Sequence, residues 1–186
     1  MKIKKGKFVS PSLRNPLKRK QGGWTAIEIL VSVAVVSLFI AWVASRGNTL
    51  SNQGDATTEA GNVNMLHTQV RAGKTTGGYG PTNSDLAAAL INAKKVPNML
   101  TISGTKIMNA WNVAYVITST GYGFTLTDTV PTDTCASTVQ NASQSGDWDL
   151  ISVNGGTGVS GQISLNSAGT MCNGGSTNVI TFTANK

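Results

Sequence analysis

A few short stretches of this sequence hold residues whose types and spacing suggest chemistry. Asp147 and Asp149 stand two apart in a strand-like run, so both carboxylates fall on one face. Such a pair can bind Ca²⁺ or perform acid–base work, although an exposed strand edge uses the same pair for solubility. Gly156, Gly158 and Gly161 in "GTGVSG" satisfy G-x-G-x-x-G. A dinucleotide site needs that motif between a strand and a helix, with an acid about twenty residues on. Here "QISLNSAGT" follows, which reads as strand and turn, and no Asp or Glu occurs after Asp149. "GKTT" at 73–76 has the ending of a phosphate-binding loop, but position 68, where the first glycine belongs, is Thr68. His67, the one histidine, stands near no nucleophile turn. These residues form no enzymatic constellation, and neither a cofactor nor a metal is expected.

Two cysteines and Glu28 remain. Cys135 and Cys172 are expected to pair if they lie in an oxidising compartment; two unrelated buried thiols are the alternative. Their spacing with His67 is not that of metal ligands. Glu28 lies in "QGGWTAIEILVSVAVVSLFIAWVASR", residues 21–46. A carboxylate in an apolar helix costs several kcal/mol unless paired or protonated, so it reads as functional, against the plainer reading of a Glu at headgroup level.

The elements that position these residues follow from pattern. Residues 29–45 are seventeen without a charge, the short end of a spanning helix. Ser37, Ala41 and Ser45 recur every four residues, with Ala34 and Ala44 beside them, and would let helices approach closely. Beyond them Ala56, Ala60, Val63, Leu66 and Val70 keep a helical period. The spacing predicts one helix over 24–72, about 74 Å long at 1.5 Å per residue. Its first half is apolar all round and its second amphipathic; Gly47, Gly54 and Gly61 weaken it.

After a loop at "KTTGGYGPT", a short helix is expected over 85–95, capped by Asn83 or Ser84 and ended by Lys94, Lys95 and Pro97. Strands are expected at "WNVAYVIT", "YGFTLTD", "WDLISVN", near Ile163 and at "NVITFTA". "VPTDTCASTVQNAS" reads as a helix opening near Pro131. The fold class is α+β, a long helix on a mostly antiparallel sheet.

Charge locates the chain. Apolar residues make up 40 % and charged residues only 12 %, the balance of an extracellular β-rich protein rather than a cytosolic enzyme. The net charge of +7 suggests nucleic acid until it is mapped. Eight of the fifteen basic residues precede Gly23, with no acid among them; the remainder holds seven basic and eight acidic residues, a net −1. A basic flank before an apolar run is a topology signal that keeps the leader in the cytoplasm and sends the rest out. No nucleic-acid partner is expected. The small pair Gly22-Gly23 precedes the apolar run, so cleavage there would leave the helix on the mature protein.

Together these residues resemble the type IV pilin family. The family's processing site is a Gly followed by a bulky apolar residue, with Glu fifth in the mature chain; here Gly23 precedes Trp24, and Glu28 is fifth. The long basic leader, the bulky first residue and the late cysteine pair look like the type IVb branch. "ALINAKKVPNML", "IMNAWNVAYVIT" and "FTLTDTVPTDTCASTV" are similar to PilS-type pilins, which build thin pili, including those of some conjugative plasmids.

The resemblance implies a leader over 1–23, a long helix over 24–72 with its membrane or fibre-core segment at 24–46, and a head over 73–186. It implies a prepilin peptidase acting after Gly23, storage in the inner membrane, and assembly-machinery partners. It implies a homopolymer outside the cell, with room for a minor pilin at the tip. Glu28 would pair with the new amine of Trp24 on a neighbouring subunit. Trp24 stands where Phe or Met is usual, which leaves methylation of that amine open. No proline bends the helix; Gly47 is placed to take that role. A type II secretion pseudopilin and a single-pass anchored adhesin or sensor are the competing readings.

Overall fold

The computed structural model describes residues 26–185. The chain divides into two compact units, the first ending at Val43 and the second starting at Ala44. The first unit, as described, is helix only. It is the opening part of α1, Ala26–Arg71, which is helical throughout, Gly47 included. Val31, Val33, Val35 and Val36 are poor helix formers, yet the ladder is unbroken. Ser32 Oγ donates to the carbonyl of Glu28 at 2.7 Å and Ser37 Oγ to that of Val33 at 2.8 Å. The hydroxyls are thus satisfied inside the helix and place no polar demand on whatever surrounds it.

In the second unit, the rest of α1 is the spine of a head. Ala56, Ala60, Val63, Leu66 and Val70 are all buried, as their spacing predicts. α2, Leu86–Asn92, is shorter than expected. Its cap is Asp85, one residue later than anticipated, whose side chain accepts from the amides of Ala87 and Ala88. The helix stops before the lysines because Lys94 takes a left-handed φ of 55°. A hairpin of β1, Thr101–Ser103, and β2, Lys106–Met108, follows, turning at Gly104. It was not foreseen: each strand spans three residues, too few to display an alternation.

The main sheet is antiparallel. It contains β3, Val116–Ser119; β4, Phe124–Pro131; β5, Leu150–Val153; and β6, Thr177–Ala184, in the order β3-β4-β6-β5. β4 alternates strictly, burying Phe124, Leu126, Asp128 and Val130, and pairs with all of β6. Phe124 and Phe182 are fully buried beside Trp148, whose indole donates to Asn64 Oδ1 at 3.0 Å. α3, Thr132–Ser143, follows Pro131 as expected and packs on α4, Leu165–Met171.

α4 corrects the expected strand near Ile163. The amide of Ile163 donates to Ser143 Oγ instead of to a neighbouring strand, and Ser164 then caps a helix by accepting from the amide of Ser167. The loop before α2 leans on the β3–β4 turn through Tyr79 N–H to the Gly121 carbonyl at 2.8 Å. That close approach requires Gly78, where a Cβ would lie 2.3 Å from the same carbonyl oxygen.

Candidate assembly site

The described residues offer two places with unusual physical chemistry. The first is the start of α1. Eleven large apolar side chains between residues 27 and 43 are 46–73 % exposed. Each contributes about 1.5–3 kcal/mol if fully buried, so this surface calls for an apolar surround. Glu28 is exposed in the first turn, and Ala34, Ser37 and Ala41 are exposed further along the helix. Ser45 is helical, but its side chain lies outside the described residues, as do Gly23, Trp24 and the whole 1–23 leader. Among the described residues no helix is long and apolar enough to cross a membrane, so the expected span over 24–46 is not recovered there.

The second place is inside the head. Glu59 on α1 and Asp128 on β4 are fully buried. Tyr115 donates its hydroxyl to Glu59 Oε1. The amide of Ala110 donates to Glu59 Oε2 at 3.1 Å, and Asn62 Nδ2 approaches the same oxygen at 3.5 Å. Asn109 organises the adjoining loop: its Oδ1 accepts from the amides of Trp111 and Val113, and its Nδ2 donates to Asp128 Oδ1 and the Thr129 carbonyl, both at 2.8 Å. Burial and then the nearby Glu59 carboxylate push Asp128 well above the usual carboxylate range. Burial, then Glu59 and Asp128, hold the Tyr115 hydroxyl protonated.

This centre was missed in the sequence, although a signal existed. Glu59 falls in the buried stripe between Ala56 and Ala60, and Asp128 falls in the buried alternation between Leu126 and Val130.

Of the residues singled out for enzyme chemistry, Asp147 and Asp149 flank Trp148, which packs on His67, and both act on that imidazole through charge alone; the glycine motifs lie elsewhere. Asp147 is exposed, and Asp149 accepts from the amide of Asn185 at 2.6 Å. Gly156, Gly158 and Gly161 lie in an exposed stretch, and Val159 there pairs with Ile151. "GKTT" is the turn that ends α1. His67 is buried against Phe124 and Trp148, and burial lowers its pKa, so it is a neutral core residue. No group of His, Cys, Asp and Glu among the described residues could hold a metal. Cys135 and Cys172 are bonded, with Cα atoms 5.9 Å apart, joining α3 to the end of α4.

A protein-family model described as PilS N terminal matches residues 53–185, from the head-packed half of α1 to just past β6. The chain belongs to the PilS family. This PilS-family pilin is also similar to the type IV b pilin from Salmonella typhi in its crystal structure. The identity is 23 %, the TM-score is 0.49, and the likeness covers 75 % of this chain and 99 % of that one. No curated protein sequence matches. The family match begins at residue 53, so it carries the head and leaves Gly23, Trp24 and Glu28 to physical argument.

Proposed function

We propose that this pilin subunit is a type IVb prepilin, stored in the inner membrane and polymerised through its N-terminal helix into an extracellular pilus for adhesion, aggregation or conjugative mating contact. One observation carries the reading: the head has a closed core of its own, whereas every described side chain between residues 27 and 43 is exposed and most are apolar. A surface of that kind is stable in lipid before assembly and among identical helices after it. Ala34, Ser37, Ala41 and Ser45 are the positions where such helices would approach. Prepilin peptidase would cut between Gly23 and Trp24, and the inner-membrane assembly machinery would take up the product.

N-terminal sequencing of the mature subunit tests the processing step. Trp24 is the expected first residue, and Gly23→Val is expected to leave the longer precursor. A mature chain starting elsewhere overturns the assignment. Electron microscopy of sheared surface material separates a filament from a lone membrane anchor.

A further inference from the structure

The buried centre of the head holds two acids, and their hydrogen bonds locate a proton. Three of the four carboxylate oxygens accept from N–H or O–H groups: Glu59 Oε1 from Tyr115, Glu59 Oε2 from Ala110 and Asn62, and Asp128 Oδ1 from Asn109. The fourth, Asp128 Oδ2, is buried without a donor. Consecutive residues of one loop hold the two acids, Asn109 binding Asp128 Oδ1 and Ala110 binding Glu59 Oε2, and the Glu59 carboxylate acts on Asp128 to raise it. Two buried carboxylates that face each other cannot both be ionised without a large penalty. A proton on Asp128 Oδ2, the oxygen that no N–H or O–H reaches, removes one of the two charges and leaves Oδ1 free to accept from Asn109. A metal ion fits poorly, because N–H and O–H groups already point at three of the oxygens.

We propose that Asp128 holds a proton beside Glu59 and that the pair forms a pH-sensitive clamp joining α1 to the sheet and to the 109–115 loop. The groups facing the pair are the Tyr115 hydroxyl and the neutral amides of Asn62 and Asn109; among the described residues no lysine, arginine or histidine acts on Asp128 or Tyr115. The sign follows from linkage. Asp128 is raised in the fold above its ordinary 3.8, so between 3.8 and the raised value the native chain binds more protons than the unfolded one. The clamp is therefore closed at low pH and weakens as pH rises through the raised value. Removing the proton leaves two facing charges in a dry pocket and loosens the loop that Asn109 organises.

The test uses the full chain in detergent, as wild type, Asp128→Asn and Glu59→Gln. Asn at 128 keeps an oxygen for Asn109 and carries no charge, so it mimics the protonated acid. Gln at 59 cannot accept at both oxygens and sets an amide group against the Ala110 N–H. Asp128→Asn is expected to fold well and to remove the Asp128 contribution to the pH dependence, which approaches tenfold in the folding constant per pH unit and runs opposite to that of His67. Glu59→Gln is expected to be destabilised at every pH. Infrared difference spectra should show a protonated-carboxyl band in wild type that Asp128→Asn lacks. The same pH slope in wild type and Asp128→Asn overturns the proposal, as does absence of that band. Destabilisation by a chelator at fixed pH also overturns it, since a bound cation would then take the proton's place.

Discussion

Cys135 lies inside α3 with no exposed surface, and the residue it is bonded to, Cys172, is the one that ends α4. The bond closes a loop with a sequence separation of 37 and ties two short helices that also pack on each other. Replacing both cysteines by alanine is expected to cost about 3–4 kcal/mol by the loop-entropy argument. Denaturant midpoints of the double variant against the oxidised wild type measure it. An unchanged midpoint would show that the α3–α4 packing holds without the bond.

Two glycines should respond to alanine with opposite signs. Gly78→Ala combines a φ of 90° with a Cβ 2.3 Å from the Gly121 oxygen, and should destabilise the head by about 1–3 kcal/mol. Gly61 is in the interior of α1 with nothing within 4 Å of an added Cβ. Gly61→Ala should stabilise by about 0.5–1 kcal/mol through reduced backbone entropy. Thermal unfolding of the two variants is the measurement.

His67 supplies a pH dependence opposite to that of the carboxyl pair. Burial depresses it below 6.5, and Arg71 adds to this while Asp147 and Asp149 oppose it. Below 6.5 the unfolded chain takes a proton that the native chain resists, so stability falls as pH falls from 6.5 toward the depressed value. The slope approaches about 1.4 kcal/mol per pH unit within that window. His67→Gln should flatten it in urea titrations run across mildly acidic pH, whatever its cost at neutral pH.

Glu28 distinguishes assembly from residence in the membrane. If it meets the Trp24 amine of a neighbouring subunit, Glu28→Ala and Glu28→Gln should be inserted and processed normally yet yield almost no sheared pili. The loss corresponds to about 3–5 kcal/mol for the charge left unpaired, more than a hundredfold in an assembly equilibrium. Normal piliation from both variants, beside equal processed subunit in membranes, would return Glu28 to a headgroup position.

Periodicity determined much of this protein. An apolar stripe at helical spacing is a property of neighbouring residues, so the buried face of Ala56, Ala60, Val63, Leu66 and Val70 was legible without coordinates. The same holds for β4 and β6, whose long alternations admit one register of burial, and for the helix opening after Pro131. What escaped depends on contacts between distant residues. Ile163 reads as strand until Ser143 Oγ captures its amide, and Asp85 reads as a first-turn acid until its own carboxylate takes the capping role. Glu59 and Asp128 interrupt two apolar registers visibly, but nothing local says that they meet. Only the packing of α1 on the sheet brings them together, encloses them with Tyr115 and Asn109, and excludes the water that would otherwise have kept two carboxylates apart in behaviour.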